Sequence, residues 1–420
     1  MTEAVDIAVA AADAGAADAW SVPLEDIDVS DSTLFERDAH WPYFERLRHE
    51  DPVHYTPDSA FGAYWSITRF NDIKHVDTHH DVFSSVPTIV IGDPAEDFTL
   101  PMFIAMDPPR HDEQRKGVVG AVSPKSLALL EPAIRGRVGG ILDLLPVGEE
   151  FDWVDRVSIE LTTQMLATLF DFPFDERRKL TRWSDCATAS EEQTGASLMS
   201  EEQRRKELME CLEYFNRLWE ERKRKPGNDF VSMMAHSEAF QKMEPLEYLG
   251  NLVLLIVGGN DTTRNSISGG VYGLNVFPDE YDKLRGNPGL IPNMVSEIIR
   301  WQTPLAHMRR TALADTELGG KEIHAGDRVV MWYVSGNRDE DVFADAGKLI
   351  IDRPNARQHV SFGFGVHRCM GNRLAEMQLR ILWEEIIKRF RQVEVVGEPE
   401  RVCSNFVRGY ASLPVRLHAA

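Results

Sequence analysis

Cysteine is scarce: the 420 residues hold four, at positions 186, 211, 369 and 403. They are too few and too scattered for a disulfide framework, which points to a reducing compartment. Long apolar runs are missing as well. The longest strongly apolar stretch, Leu252 to Val257, falls far short of the roughly 18 residues that span a bilayer, so the chain is not expected to cross a membrane. Positive charge is in deficit, with 46 Lys and Arg against 67 Asp and Glu and a net charge of −21. Nucleic-acid backbones and anionic membranes demand clustered positive charge, so nucleic acid is not an expected partner. Residues 1–19 are rich in alanine but carry Glu3, Asp6, Asp13 and Asp18 and no Lys or Arg. A secretory signal needs a positive start and a longer apolar run, so the cytoplasm is the expected location.

Helical periodicity is abundant. Trp41, Phe44 and Leu47 recur at spacings of three, the stripe of a surface helix over about 39–49. Val53-His54-Tyr55 and Tyr64-Trp65-Ser66-Ile67, parted by a Pro, Asp, Ser and Gly segment, predict a β-hairpin. A short helix over about 70–78 follows, then a long apolar loop, Ser84 to Met106, of the kind that usually carries function. Asp107-Pro108-Pro109 starts a helix on which His111 and Arg115, four apart, share a face. Further helices are expected over about 124–145, 155–170, 175–188, 200–224, 245–277 and 290–302. Weaker ones are expected near 229–240, and strands over 316–318, 321–323, 328–333, 393–396 and 415–417. The fold class is mainly α with a minor β portion. Residues 1–30 are expected to form a loosely ordered tail and 31–420, which contain no linker, a single domain.

Three motifs carry chemistry. In the stretch Ser361 to Gly371, Cys369 stands among glycines 363, 365 and 371, which let the backbone turn tightly beneath a flat ligand. The helix that begins just after it offers a positive N-terminal end that favours thiolate over thiol, as a metal ligand requires. Zinc fits poorly, because it needs about four ligands and only His367 is near; a small buried hydrophobe is the plain alternative. Second, Gly258-Gly259-Asn260-Asp261-Thr262-Thr263 places two glycines inside the long central helix, at a cost of roughly 1 kcal/mol each. A stable helix tolerates them where something must approach its backbone closely, and Asp261 with Thr262 sets an acid and an alcohol beside that gap. Such a pair can deliver protons, and a helix-packing notch is the alternative. Third, Glu297-Ile298-Ile299-Arg300 sets opposite charges three apart, ordinarily a surface pair of little energetic weight.

The pattern Phe362-x-x-Gly365-x-His367-x-Cys369-x-Gly371 resembles the haem-ligand signature of the cytochrome P-450 family. Gly258 to Thr262 resembles that family's oxygen-activation motif, and Glu297-x-x-Arg300 its Glu-x-x-Arg pair, in the same order along the chain. Asn337-Arg338-Asp339, Val342-Phe343 and Asp352-Arg353 extend a resemblance that covers nearly the whole sequence from Asp107-Pro108-Pro109 onward, and the N-terminal hairpin more loosely. It implies the haem-thiolate fold, haem b as cofactor, Cys369 as iron ligand with Phe362 and Gly365 in its loop, and Gly258 against the haem. By position His111, Arg115, Arg310 and His367 match the residues that hold the haem carboxylates, which need charge-assisted partners. Glu297, Arg300 and Arg353 match a structural network behind the haem. His359 has either a packing or a loop-bracing role.

The resemblance further implies a soluble monooxygenase in which Asp261 and Thr262 are catalytic and dioxygen is a substrate. No flavin, nicotinamide or iron–sulfur motif is present, so electrons are expected from a ferredoxin and an NAD(P)H-dependent ferredoxin reductase. Lys116, Arg373 and Arg380 are candidates for their docking patch. Peroxide-driven relatives often lack the acid–alcohol pair, which argues against that variant; a haem-binding sensor or carrier without turnover is the rival from another class. The expected pocket is almost wholly apolar: Val86, Ile91, Phe98, Leu100 and Phe103 from the long loop, Leu254, Leu255 and Val257 from the central helix. Leu305, Ala306 and Met308 add to it, with Phe406 and Val407 from the C-terminal turn. Leu100 to His111 and Gly258 to Asn265 look like the branch that hydroxylates medium-chain alkanes and fatty acids at the terminal carbon, with a terpene or steroid substrate as the alternative.

Overall fold

The computed structural model describes residues 19–196 and 199–420. The helices that frame its interior are, in chain order, Phe70–Thr78 (α1), Arg110–Val118 (α2), Glu160–Leu169 (α3), Arg178–Thr188 (α4), Glu201–Arg224 (α5), Pro245–Val276 (α6), Ile291–Gln302 (α7) and Asn372–Arg389 (α8). Their ends follow local chemistry. Ser200 caps α5 by accepting the Gln203 N–H at 3.3 Å, and Pro245 opens α6, where a missing N–H costs nothing. Thr303, at φ 43°, stops α7 in the left-handed conformation, and Pro304 follows. α6 is buried along most of its length and packs on α3, α4, α7 and α8, which makes it the axis of the helical body.

The expected hairpin forms. Val53–Thr56 (β1) pairs antiparallel with Tyr64–Ile67 (β2), Val53 opposite Ile67. It continues into a five-stranded sheet with Phe83–Ser84 (β3), Met308–Ala312 (β4) and Arg328–Met331 (β5), in the order β1-β2-β5-β4-β3. β4 has no signature in the sequence, because Arg309 and Arg310 interrupt any apolar alternation. Both arginines are nonetheless buried, so the strand delivers charge to the interior. A second sheet joins Glu150–Asp152 to the late strands Pro414–Ala419 and Phe390–Val395.

The loose tail expected over 1–30 is corrected for part of its length. Residues 1–18 lie outside the described residues, but from Ala19 the chain packs. Ile27 and Val29 are buried in one cluster with Phe35, Phe44 and Trp332, and the Ile27 carbonyl takes a hydrogen bond from His54 Nε2 at 3.0 Å. Two apolar side chains separated by one residue, too brief a pattern to read as an element, are enough to pin the segment. Among the described residues no helix is long and apolar enough to cross a membrane.

Candidate active site

The cysteine loop is held from both sides. The Cys369 N–H donates to the Phe362 carbonyl at 2.8 Å, while Gly363 and Gly365 both adopt φ 63°. A β-carbon on Gly365 would stand 2.4 Å from the Asp77 carbonyl at the end of α1, so only glycine fits there. Cys369 lines an open cavity of about 310 Å³ and is exposed to it. Burial pushes the free thiol up, and the N–H groups of Gly371 and Asn372 with the guanidinium of Arg115 pull it back only in part. The loop N–H groups and Arg115 thus act in the direction expected for thiolate, and a cation bound at the sulfur would add to them.

Basic side chains from three elements converge on the same cavity: His111 and Arg115 of α2, Arg310 of β4 and His367 of the loop. The rings of His111 and His367 lie 4.2 Å apart. His111 Nε2 and both ring nitrogens of His367 are buried without a hydrogen-bond partner. Desolvation, with Arg310, His111 and Arg115 nearby, pushes His367 down to about 2. Unpartnered ring nitrogens of His111 and His367 beside the guanidinium of Arg115 are what a ligand with two carboxylates can use. Arg310 also reaches Asp77, a residue the sequence does not reveal: its Nη2 donates to Asp77 Oδ1 at 2.8 Å. Oδ2 of Asp77 accepts from the Tyr333 hydroxyl at 3.0 Å and the Phe364 N–H at 2.6 Å. Nothing in the pattern of α1 distinguishes this buried aspartate from a solvated one.

On α6, a β-carbon at Gly258 would meet nothing within 4 Å, so the helix presents bare backbone to the cavity. Thr262 lines it too, its hydroxyl donating to the Gly258 carbonyl at 2.9 Å. Asp261 does not stand beside the gap as expected, because successive helical residues point about 100° apart. It is fully buried against α4, accepting from Ser184 Oγ at 3.0 Å and Asn260 Nδ2 at 3.1 Å. Arg264 Nη2 lies 2.7 Å away, and Arg264 Nη1 ties Asp261 to the half-exposed Asp185, at 2.9 Å.

Glu297 and Arg300 are not a surface pair. Both are completely buried, and Glu297 accepts from Arg300 Nη2 at 2.7 Å, Arg353 Nε at 2.9 Å and the Ile350 N–H at 2.9 Å. Arg300 Nη1 in turn donates to the carbonyls of Asn337 and Ala346. His359 is buried away from the cavity, its ring 5.1 Å from that of Phe362.

Phe98, Leu100, Phe103, Leu254, Leu255, Val257, Leu305, Met308 and Phe406 line the cavity as expected, and Phe362 of the cysteine loop joins them. Val86, Ile91, Ala306 and Val407 do not. Val86 is half exposed where the chain leaves β3, and Ile91 and Ala306 turn into the cluster around Trp332. Val407 bridges to Leu305 and is buried beneath it. Leu166 and Leu169 of α3, Phe230, Val253 and Arg204 complete walls that the sequence did not assign. Leu166 and Leu169 sit on a helix that is apolar on several faces, so periodicity alone could not say which face meets a ligand.

This geometry, a cysteine sulfur in a largely apolar cavity with Arg115, Arg310 and two histidines carrying unpartnered ring nitrogens beside it, suits a carboxylated metallocofactor held at the sulfur. A model of the cytochrome P-450 family matches residues 289–410. Linalool 8-monooxygenase of Pseudomonas putida is 36% identical over 94% of this chain and 99% of its own. A methyl-branched lipid omega-hydroxylase of Mycobacterium tuberculosis is 31% identical over 94% and 95%. The solved structure of cytochrome P-450-153 from Novosphingobium aromaticivorans superposes with a TM-score of 0.88 at 51% identity, covering 93% of this chain and 99% of that one. The chain belongs to the cytochrome P-450 family; it is a monooxygenase with that family's fold and with haem b as its cofactor.

Proposed function

We propose that this enzyme hydroxylates medium-chain alkanes or fatty acids at the terminal carbon, with residues 31–420 working as one catalytic domain. The observation that carries the reading is the cavity itself, lined mostly by apolar side chains and opening onto the Cys369 sulfur and the bare backbone at Gly258. An apolar pocket selects by shape and area, at about 0.8 kcal/mol per buried CH₂, so a linear chain is held along its whole length. A methyl C–H bond is stronger than its neighbours. Terminal attack therefore needs walls that present only the chain end, as the packed Leu255, Leu305, Met308 and Phe406 side chains can do.

In this reading Cys369 binds the haem iron, while His111, Arg115, Arg310 and His367 hold the haem carboxylates. Phe362 and Gly365 shape the loop, and Glu297, Arg300 and Arg353 brace it from behind. Haem b, when bound, supplies dioxygen activation, with donation from the thiolate favouring O–O cleavage. Thr262 holds a hydroxyl at the cavity wall. Asp261 is the acid that exchanges protons behind it, with Arg264 linking it to the half-exposed Asp185. Burial outweighs the Arg264 guanidinium and lifts the Asp261 carboxyl to about 6, where it exchanges protons near neutrality. Electrons come from a ferredoxin and its NAD(P)H-dependent reductase in the cytoplasm.

The similarity to a linalool monooxygenase favours a second reading, a terpene substrate. Product analysis on octane, dodecanoic acid and linalool with a surrogate redox system separates the two. Terminal alcohols from the linear chains are expected. Mainly subterminal products, or turnover of linalool alone, would reject the terminal-hydroxylase reading.

A further inference from the structure

One charged side chain lines the cavity away from the cysteine end. Asp77, His111, Arg115, Arg310 and His367 cluster with Cys369; Arg204, in the first turn of α5, is the remaining charged or histidine residue among the described walls. It is only 5% exposed. A guanidinium so far from water is costly unless its donors are used. Glu201, one turn back on the helix, takes one edge of the fork, lying 2.9 Å from both Nε and Nη2. Nη1 has no hydrogen-bond partner among the described residues, which leaves the outer edge of the fork, Nη1 with Nη2, for something else. Below it lies the Phe98 ring, 5.7 Å from the guanidinium carbon. Three threonines of the same walls do not compete with it as donors. Thr99, Thr188 and Thr194 already give their hydroxyl protons to the carbonyls of Ala95, Ser184 and Ser190.

We infer that Arg204 is the anchor for the carboxylate of a fatty-acid substrate, which makes this enzyme a selector of acids over hydrocarbons of equal length. The inference rests on the linear-chain reading above and names the polar end of that chain. A carboxylate matches the free edge of the guanidinium with two parallel hydrogen bonds, while its alkyl tail fills the apolar walls between Arg204 and Cys369. Glu201 holds the fork in place before the substrate arrives, so little side-chain entropy is lost on binding. Anchoring one end also fixes which carbon reaches the far end. Thr194, another wall residue, reaches the C-terminal turn: its carbonyl accepts the Asn405 N–H at 3.2 Å, next to the wall residue Phe406.

Substrate-induced spin-state titrations of the haem-loaded enzyme with dodecanoate, methyl dodecanoate and octane test this. The ester keeps chain and carbonyl but loses the charge. In R204Q, dodecanoate affinity should fall by about tenfold or more, the scale of a lost hydrogen bond to a charged group. Affinities for ester and octane should stay within about twofold, and R204K should recover part of the loss for the acid alone. Parallel losses for acid, ester and octane would make Arg204 a structural residue, and an unchanged dodecanoate affinity would remove it from recognition; either result overturns the anchor and leaves the linear-chain reading standing. If the wild type shifts with none of the three ligands, the linear-chain reading fails and the anchor with it.

Discussion

At Asp261, burial and ion pairing pull in opposite directions. Desolvation favours the neutral acid, Arg264 the carboxylate, and desolvation prevails, so the folded group titrates at about 6 against an ordinary 3.8. The sign follows from linkage: the folded state keeps a proton that the unfolded chain releases. Its contribution to stability is thus present in full below pH about 4 and is lost as pH rises through about 6. In D261N the side chain cannot ionise in either state. Thermal unfolding at a series of pH values should show the wild-type melting temperature falling relative to D261N between pH 4 and 6.5, then running parallel. A difference that is flat across that range would refute the raised carboxyl. Single residues were most legible in the sequence inside a dense motif. Cys369, His367 and Phe362 were found because ten positions fix one another. Asp77 and Arg204 were not, since an isolated charge on an amphipathic helix reads as solvated until tertiary packing shows otherwise.

Among the elements, α6 shows when a helical glycine is a requirement and when it is a weakness. Replacing glycine by alanine inside a helix ordinarily gains about 1 kcal/mol. At Gly250 the added carbon would stand 2.2 Å from the Pro101 carbonyl, a backbone atom that cannot rotate away. The long loop that carries Phe98, Leu100 and Phe103 would be pushed off the helix, and that strain exceeds the propensity gain. Gly140, near the end of helix Pro124–Leu142, has nothing within 4 Å of the same position. G140A should therefore raise the melting temperature slightly, whereas G250A should lower it and weaken substrate affinity as well. A G250A protein as stable as the wild type would mean that the loop is not seated on this glycine. Helix positions were largely readable from periodicity and prolines. β3 and β4 were not, because a two-residue strand and a strand with two internal arginines both depend on neighbours supplied by distant sequence.

For the whole molecule, charge distribution matters more than the total. A net charge of −21 repels an acidic electron donor at long range, so productive docking needs a local exception. The proposed exception lies on the face behind Cys369, where α2 and the start of α8 meet the cysteine loop. Lys116 and Arg373 are exposed there, and neither has a salt-bridge partner among the described residues. Arg380, the third candidate named from sequence, is already neutralised, with Glu131 and Glu384 each at 2.9 Å. Its partner Glu384, four residues on along α8, is visible from spacing, but Glu131 arrives from the separate helix Pro124–Leu142 and is not. Steering by exposed charges weakens as the Debye length shrinks from about 30 Å at 0.01 M salt to about 8 Å at 0.15 M. The double variant K116E/R373E should thus be reduced by ferredoxin more slowly than the wild type at low salt, with the gap closing as salt is added. R380E, which breaks an intramolecular pair, should lose stability and keep its reduction rate when compared at matched folding. Equal low-salt rates for the wild type and K116E/R373E would place the docking surface elsewhere.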